Sequence, residues 1–167
     1  MKTELIKGNI VYLDDCIDAL IKSELGVQYF SERDKAKRAL IEGFEKGEIY
    51  VAVNESNKCV GFIWYIMHGA FHAFPYLHII AVKEEYRGRG IGRNMIEYFE
   101  DILSDKFSKC FLVVADYNPE AKRLYEQIGY TEVGRIPDLY KKSVTEILMM
   151  RVLKINKQWD GSRKHHN

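Results

Sequence analysis

The stretch Ile80-Ala81-Val82-Lys83-Glu84-Glu85-Tyr86-Arg87-Gly88-Arg89-Gly90-Ile91-Gly92-Arg93 decides how the rest of the chain is read. The run from Tyr76 to Val82 has the composition of a strand, and three alternate glycines follow it. From about Gly90 to Ser104, the residues Ile91, Met95, Phe99, Ile102 and Leu103 form a helical apolar stripe. The first amides of a helix have no intrahelical acceptor, and the helix dipole adds partial positive charge there. Glycines let a bulky anion approach such amides closely. The corner therefore suits a phosphate or pyrophosphate, with Arg87, Arg89 and Arg93 as added charge. The alternative is a tight turn whose glycines relieve strain and whose arginines are solvated. A P-loop would need Gly-Lys-Ser/Thr, but Arg93 follows Gly92. The dinucleotide fingerprint GxGxxG would need a glycine where Arg93 stands, and Asp116 lies late for its acidic partner.

On either side of this corner the chain alternates between the two hydrophobic periods. Glu4 to Tyr12 reads as an edge strand. A helix capped by Asp14 runs through Leu25, with Ile17, Leu20 and Ile21 on one face and Gly26 as its stop. Val27 to Phe30 is a short connection. Ser31 and Asp34 resemble a capping box for a helix carrying Ala36, Leu40, Ile41 and Phe44, which Gly47 ends. Ile49 to Val53 and Cys59 to His68 form a hairpin across Asn54 to Lys58, and a loop with His68, Gly69, His72 and Pro75 leads to Tyr76. After the long helix come a fully apolar strand from Cys110 to Val114 and a helix from Pro119 to Ile128, stopped by Gly129. Strands at Thr131 to Ile136 and Glu146 to Leu153 complete the order β-α-α-β-β-β-α-β-α-β-β. The hairpin implies antiparallel pairing, and the strand–helix–strand unit from Tyr76 to Val114 implies one parallel pair, so the sheet is expected to be mixed.

The 167 residues suffice for one domain with a sizeable core, and 47% apolar with 29% charged residues is ordinary globular composition. Lys plus Arg is 25 against 24 for Asp plus Glu, a net charge of +1, which is not the basic excess of a general nucleic-acid binder. Cys16, Cys59 and Cys110 are odd in number and widely spaced, unlike a zinc site or a disulfide framework, and read as reduced thiols of a cytoplasmic protein. The opening MKTELIKGNI lacks the apolar stretch of a signal peptide, and no apolar run approaches a membrane-spanning length. The polar end, residues 156–167, reads as a tail after a single domain over 1–155.

Two motifs together resemble the GNAT superfamily of N-acetyltransferases. Its acetyl-CoA signature is Arg or Gln, two residues, Gly, one residue, Gly or Ala, and Arg87-Gly88-Arg89-Gly90-Ile91-Gly92 fits at every fixed place. The second is the frame NPEAKRLYEQIGY, with Asn118, Ala121, Tyr125 and Gly129-Tyr130. The resemblance covers about residues 4 to 153. It implies a single-domain α/β (α+β) fold: a mixed, twisted sheet of about six or seven strands with about four helices, splayed around an acetyl-CoA cleft. It implies an acyltransferase that moves acetyl from acetyl-CoA to a primary amine by direct attack in a ternary complex, with no metal, and it allows a homodimer. The glycine loop, Arg87 to Arg93, would hold the pyrophosphate on its main-chain amides, and backbone groups of Ile80, Ala81 and Val82 would pair with the pantetheine arm as a strand would. Asn118 would contact the same arm or simply cap the helix at Pro119.

Under that resemblance Tyr125 is the expected general acid. A phenol is a plausible proton donor to a departing thiolate, and seven residues beyond Asn118 is about two helical turns. Core packing is its structural alternative. Some family members carry a glutamate base on the strand before the glycine loop, where Tyr76 stands here. His78, two residues on, titrates in the useful range and is the candidate base, with a hydrogen-bonded structural role as its alternative. Glu24, His72 and Glu84 are weaker candidates, and a water relay would need none of them. The acceptor's walls are expected at Gly26 to Phe30 and Pro137 to Ser143. Two other readings are a non-catalytic acyl-CoA-binding module and a nucleotide-dependent oxidoreductase.

Overall fold

In the computed structural model, which describes residues 2–154, seven strands form one sheet in the order β1-β2-β3-β4-β5-β7-β6. The strands are β1 (Thr3–Lys7), β2 (Ile49–Asn54), β3 (Cys59–Ala70), β4 (Phe74–Val82), β5 (Lys109–Ala115), β6 (Thr131–Pro137) and β7 (Thr145–Val152). The helices are α1 (Leu13–Ile21), α2 (Glu24–Tyr29), α3 (Arg33–Glu45), α4 (Ile91–Ser104) and α5 (Pro119–Ile128). The pair β4–β5 is parallel and every other pair is antiparallel, so the sheet is mixed as the sequence implies. One core gathers Cys16, Ile17, Leu20 and Leu40 of α1 and α3 with Phe62, Trp64, Ile79 and Ala81 of the sheet. The other gathers Ile91, Met95 and Phe99 of α4 and Tyr125 of α5 with Ile63, Leu77 and Leu112.

Several local expectations change. The first strand stops at Lys7, because Asn9 accepts from the Val11 amide at 3.0 Å and starts a 3-10 turn over Ile10–Tyr12. Asp14 lies in the first turn of α1 and does not cap it. The helix expected to reach Leu25 breaks at Lys22. Ser23 donates to the Leu20 carbonyl at 2.6 Å and accepts from the Gly26 amide at 2.9 Å, starting α2 and making five helices in place of about four. Gly26 is therefore not a stop: a Cβ there would lie 1.7 Å from the Leu20 carbonyl oxygen, so the glycine permits close approach of two helices. Glu32 occupies the N-cap of α3, with no side-chain bond, in place of Ser31. The loop expected before Tyr76 is mostly strand, turning at Phe71 and His72, both with positive φ. On α4, Ile96 takes the buried place expected of Ile102, which is 41% exposed. Cys59 begins β3 and Cys110 is the second residue of β5, and all three cysteines are buried and free. The polar end expected at 156–167 lies outside the described residues.

Candidate active site

The parallel pair that joins the two halves of the sheet is very short. β4 and β5 meet only at Tyr76–Phe111 and Leu77–Leu112. On its other side β4 faces β3 with a shift: Trp64 pairs with Ile79 and Tyr65 with Leu77, leaving His78 as an extra residue. Such a bulge bends its strand and strengthens the local twist. Beyond it β4 keeps β3 as its only strand partner, and β5 from Val113 to Ala115 keeps only β7. The sheet opens there into a cleft of about 600 Å³. Its walls include Ile80, Ala81 and Val82 on one side and Val113, Val114 and Ala115 on the other. Each wall presents peptide groups with no strand partner, which an extended polar ligand can satisfy.

The bulge also changes which residues share a face. Alternation alone puts His78 with Tyr76 and Ile80. In the structure Ile79 and Ala81 join the core under α1 and α3, while Ile80 packs toward α4 and α5. His78 lines the cleft, but its ring packs edge-on to Trp64 at 4.7 Å between centroids. Burial holds the imidazole below its usual range, against the opposing pull of Glu48 and Glu42.

At one end of the cleft stands the glycine corner. Gly88 and Gly90 have φ of +71° and +77°, conformations that favour glycine, and a Cβ at either would meet nothing within 4 Å. The first helical bond of α4 runs from the Asn94 amide to the Gly90 carbonyl at 3.0 Å, so the amides of Ile91, Gly92 and Arg93 have no intrahelical acceptor. This is an open concavity lined by backbone donors. The arginines are more occupied than expected. Arg87 lines the cleft but donates to the Val82 carbonyl at 3.1 Å and the Lys22 carbonyl at 2.7 Å. Arg89 donates to the Glu85 carbonyl at 3.0 Å, and Arg93 reaches Glu97 and Gln127 on α4 and α5. The Ile91 side chain is core, leaving only its amide for a ligand. Gly92 and Asn118 line the cleft, whereas Gly88, Arg89, Gly90, Ile91 and Arg93 stand outside its lining, at the corner.

Asn118 caps α5, accepting from the Ala121 amide at 3.2 Å, and lines the cleft as well, so capping the helix does not take it away from the cleft. Tyr125 also lines the cleft, 8% exposed, with its ring 5.9 Å from that of Tyr130. Burial pushes its phenol up to about 12, so it keeps its proton at neutral pH. It packs in the core and at the same time reaches the cleft wall with its phenol protonated.

The walls named from sequence for an acceptor meet at the other end. Tyr29 of α2 and Tyr140 of the β6–β7 turn have ring centroids 6.2 Å apart, and Lys141 donates to Gln28 at 2.7 Å, joining the two segments. Between them lies Glu146, a residue read from sequence only as the start of a strand. It is 3% exposed, lines the cleft and accepts from the Tyr29 hydroxyl at 3.0 Å. Burial raises its carboxyl above the usual carboxylate range, countered by the Tyr29 bond and reinforced by Asp116. Tyr76, where the family's usual carboxylate would stand, has its phenol raised by burial and then by Tyr140, Glu146 and Tyr125. Tyr76 lines the same cleft as the expected acid and the unexpected carboxylate. Among the weaker base candidates Glu24 lines the cleft, and His72 and Glu84 do not. Among the described residues no cluster of His, Cys, Asp and Glu could hold a metal ion, and no helix is long and apolar enough to cross a membrane.

This architecture has close structural counterparts. The ribosomal-protein-S18-alanine N-acetyltransferase of Escherichia coli superposes with a TM-score of 0.73 at 17% identity, covering 99% of this chain and 100% of that one. An aminoglycoside 6'-N-acetyltransferase complexed with coenzyme A gives 0.70 at 19% identity, covering 92% and 97%. In sequence, the N-alpha-acetyltransferase RimI of Mycobacterium tuberculosis is 30% identical over 103 residues, 61% of this chain and 64% of that protein. An uncharacterized Mycobacterium leprae protein, ML0378, is 31% identical over 103 residues, 61% of this chain and 28% of its own length. The chain thus spans between 28% and 64% of the length of these two relatives. The family model described as "Acetyltransferase (GNAT) family" matches residues 17–130, more than half of the chain, and the chain therefore belongs to the GNAT family of acetyltransferases.

Proposed function

We propose that the protein transfers an acetyl group from acetyl-CoA to a primary amine by direct attack within a ternary complex. The observation that carries this reading is the parting of β4 and β5 after two residue pairs, with amide donors at one end of the opening and Tyr125 on its wall. The cleft is suited to its co-substrate throughout: unpaired strand edges for an extended amide-bearing arm, and an uncrowded glycine corner for a pyrophosphate. In this reading the amides of Ile91, Gly92 and Arg93 receive the pyrophosphate, the edge from Ile80 to Val82 receives the arm, and Asn118 adds a polar contact. Arg87 works mainly as a strap that holds the loop to the end of α1.

Attack of a neutral amine on the thioester carbonyl forms the C–N bond, and loss of the thiolate breaks the C–S bond. Tyr125 donates its phenolic proton to that sulfur, which makes a poor leaving group a good one. No cysteine lines the cleft, so a covalent acetyl-enzyme has no evident nucleophile. The test is amine-dependent release of the CoA thiol across an amine library, beside thermal melts with CoA. Stabilisation by CoA with no release for any amine would make the domain a binding module. Stabilisation by a nicotinamide dinucleotide and not by CoA would overturn the reading altogether.

A further inference from the structure

The far end of the cleft holds an unbalanced charge. Glu146 is 3% exposed, and among the described residues no lysine or arginine pairs with it. A buried carboxylate is ordinarily paired or heavily hydrogen-bonded, because removing it from water is expensive. Here one oxygen has the Tyr29 hydroxyl at 3.0 Å, and the group lines an open cleft. Around it stand the aromatic rings of Tyr29, Tyr76, Tyr117 and Tyr140, all on the cleft wall. They come from four separate elements: α2, β4, the β5–α5 connection and the β6–β7 turn. Tyrosine faces attract a cation, and the attraction grows when water is excluded. A carboxylate without a cation, inside a ring of phenols, on the substrate-facing wall, is a site built for an ammonium group.

Resting on the acetyl-transfer reading, we propose that Glu146 receives the acceptor's ammonium group and takes its proton, and that the acceptor is a primary amine whose stem carries no carboxylate beside the nitrogen. The stem preference follows from the same geometry. A carboxylate next to the amine would be carried into a site that already holds Glu146, with Asp116 and Glu24 nearby. Like charges in so poorly solvated a place cost far more than on the surface.

Protons balance as follows. The ammonium gives one proton to Glu146 and becomes the nucleophile. As its nitrogen bonds the carbonyl carbon and the C–S bond breaks, Tyr125 protonates the departing thiolate. The nitrogen loses its second proton to the Tyr125 phenolate, leaving the amide with one. Glu146 then releases its proton to solvent.

The test uses the full chain with acetyl-CoA and two probes of one shape, phenethylamine and phenylalanine. Wild-type protein should acetylate phenethylamine and discriminate against phenylalanine by at least about 100-fold in kcat/KM. Glu146→Gln, which keeps shape and removes the charge, should lower kcat/KM for phenethylamine by about 10²–10³-fold, within the range of a general base. It should leave CoA binding unchanged and should shrink the discrimination. The acid limb of the wild-type rate profile should lie above the ordinary carboxylate range and vanish in Glu146→Gln. The groups facing this carboxylate are Glu24 and Tyr29 from α2, Tyr76 from β4, Asp116 and Tyr117 after β5, and Tyr140 from the β6–β7 turn; the cations of the cleft wall are engaged elsewhere, Lys35 over the Phe30 ring and Arg87 on the Val82 and Lys22 carbonyls. Tyr29→Phe should weaken the reaction less, because the carboxylate remains. Turnover of phenylalanine equal to that of phenethylamine, unchanged kinetics in Glu146→Gln, or no turnover of phenethylamine at all would each overturn the proposal. The broader reading fails on a different result, the absence of CoA binding or of thiol release with every amine in the library.

Discussion

Replacing Gly90 by aspartate separates the fold of the glycine corner from its charge. Gly90 has φ of +77°, and a Cβ there meets no atom within 4 Å, so the new side chain costs backbone strain but no clash. A left-handed non-glycine residue costs about 1–2 kcal/mol, less for aspartate, and a negative charge at a helix N-terminus returns about 0.3–1 kcal/mol. The folded state should therefore survive almost intact. The anion should not. A carboxylate about 4 Å from a bound phosphate repels it by about 2–4 kcal/mol at the effective dielectric of a partly exposed site. That corresponds to about 30- to 1,000-fold in CoA affinity at about 1.4 kcal/mol per decade. Gly90→Asn is the control, with the same shape, the same strain and no charge. Calorimetric titration of both variants at low and high salt reads the difference directly. Aspartate should bind CoA far more weakly than asparagine, and the gap should narrow as salt rises. Equal affinities in two folded variants would show that the corner does not hold the phosphates.

Four further outcomes are expected. Tyr125→Phe should lower turnover by about 10²–10⁴-fold with CoA affinity nearly unchanged, and full turnover in a chemistry-limited assay would assign this ring to packing alone. Glu146→Gln should raise the melting temperature at pH 8 but not at pH 4. Burial raises the folded-state pKa of Glu146, so its contribution to stability is present below the ordinary carboxylate range and is lost as pH rises through the folded value. Gly26→Ala should cost about 3 kcal/mol or more, lowering the melting temperature by about 6–12 °C, because the methyl meets the Leu20 carbonyl; a melt within a degree or two of wild type would contradict that contact. His78→Ala should weaken the fold through the lost Trp64 contact while leaving the acid side of the rate profile in place, and disappearance of that limb would make His78 the base.

What was legible in the sequence followed strong local chemistry. The glycine corner, the Asn118 cap and the apolar strands all depend on residues near one another in the chain, and each lies where its pattern implies. Gly26 was misread because a glycine after a helical stripe looks like a stop, and only the spatial neighbour Leu20 reveals its purpose. The single extra residue at His78 leaves no compositional trace, yet it reverses the facing of every residue to Val82. Glu146 was invisible for a related reason. A lone acid near the start of an apolar strand reads as an ordinary solvent-facing strand end, and the partner that shows otherwise is Tyr29, 117 residues away. The tyrosines around it come from four segments, so no window of sequence contains them together.

The opening between β4 and β5 has a thermodynamic side. Seven strands meet in one sheet, yet its middle seam is closed by two residue pairs only. A ligand lying along Ile80 to Val82 would act as an eighth strand and close that seam from within. Its binding energy then adds to folding, by about 2.7 kcal/mol at a concentration of 100 Kd. Amide hydrogens on either side of the seam should exchange quickly in the free protein and slow sharply when CoA is added, whereas those of β2 and β3 should change little. The substrate would thereby help to hold its own enzyme together, with the seam as the part of the sheet that depends on it most.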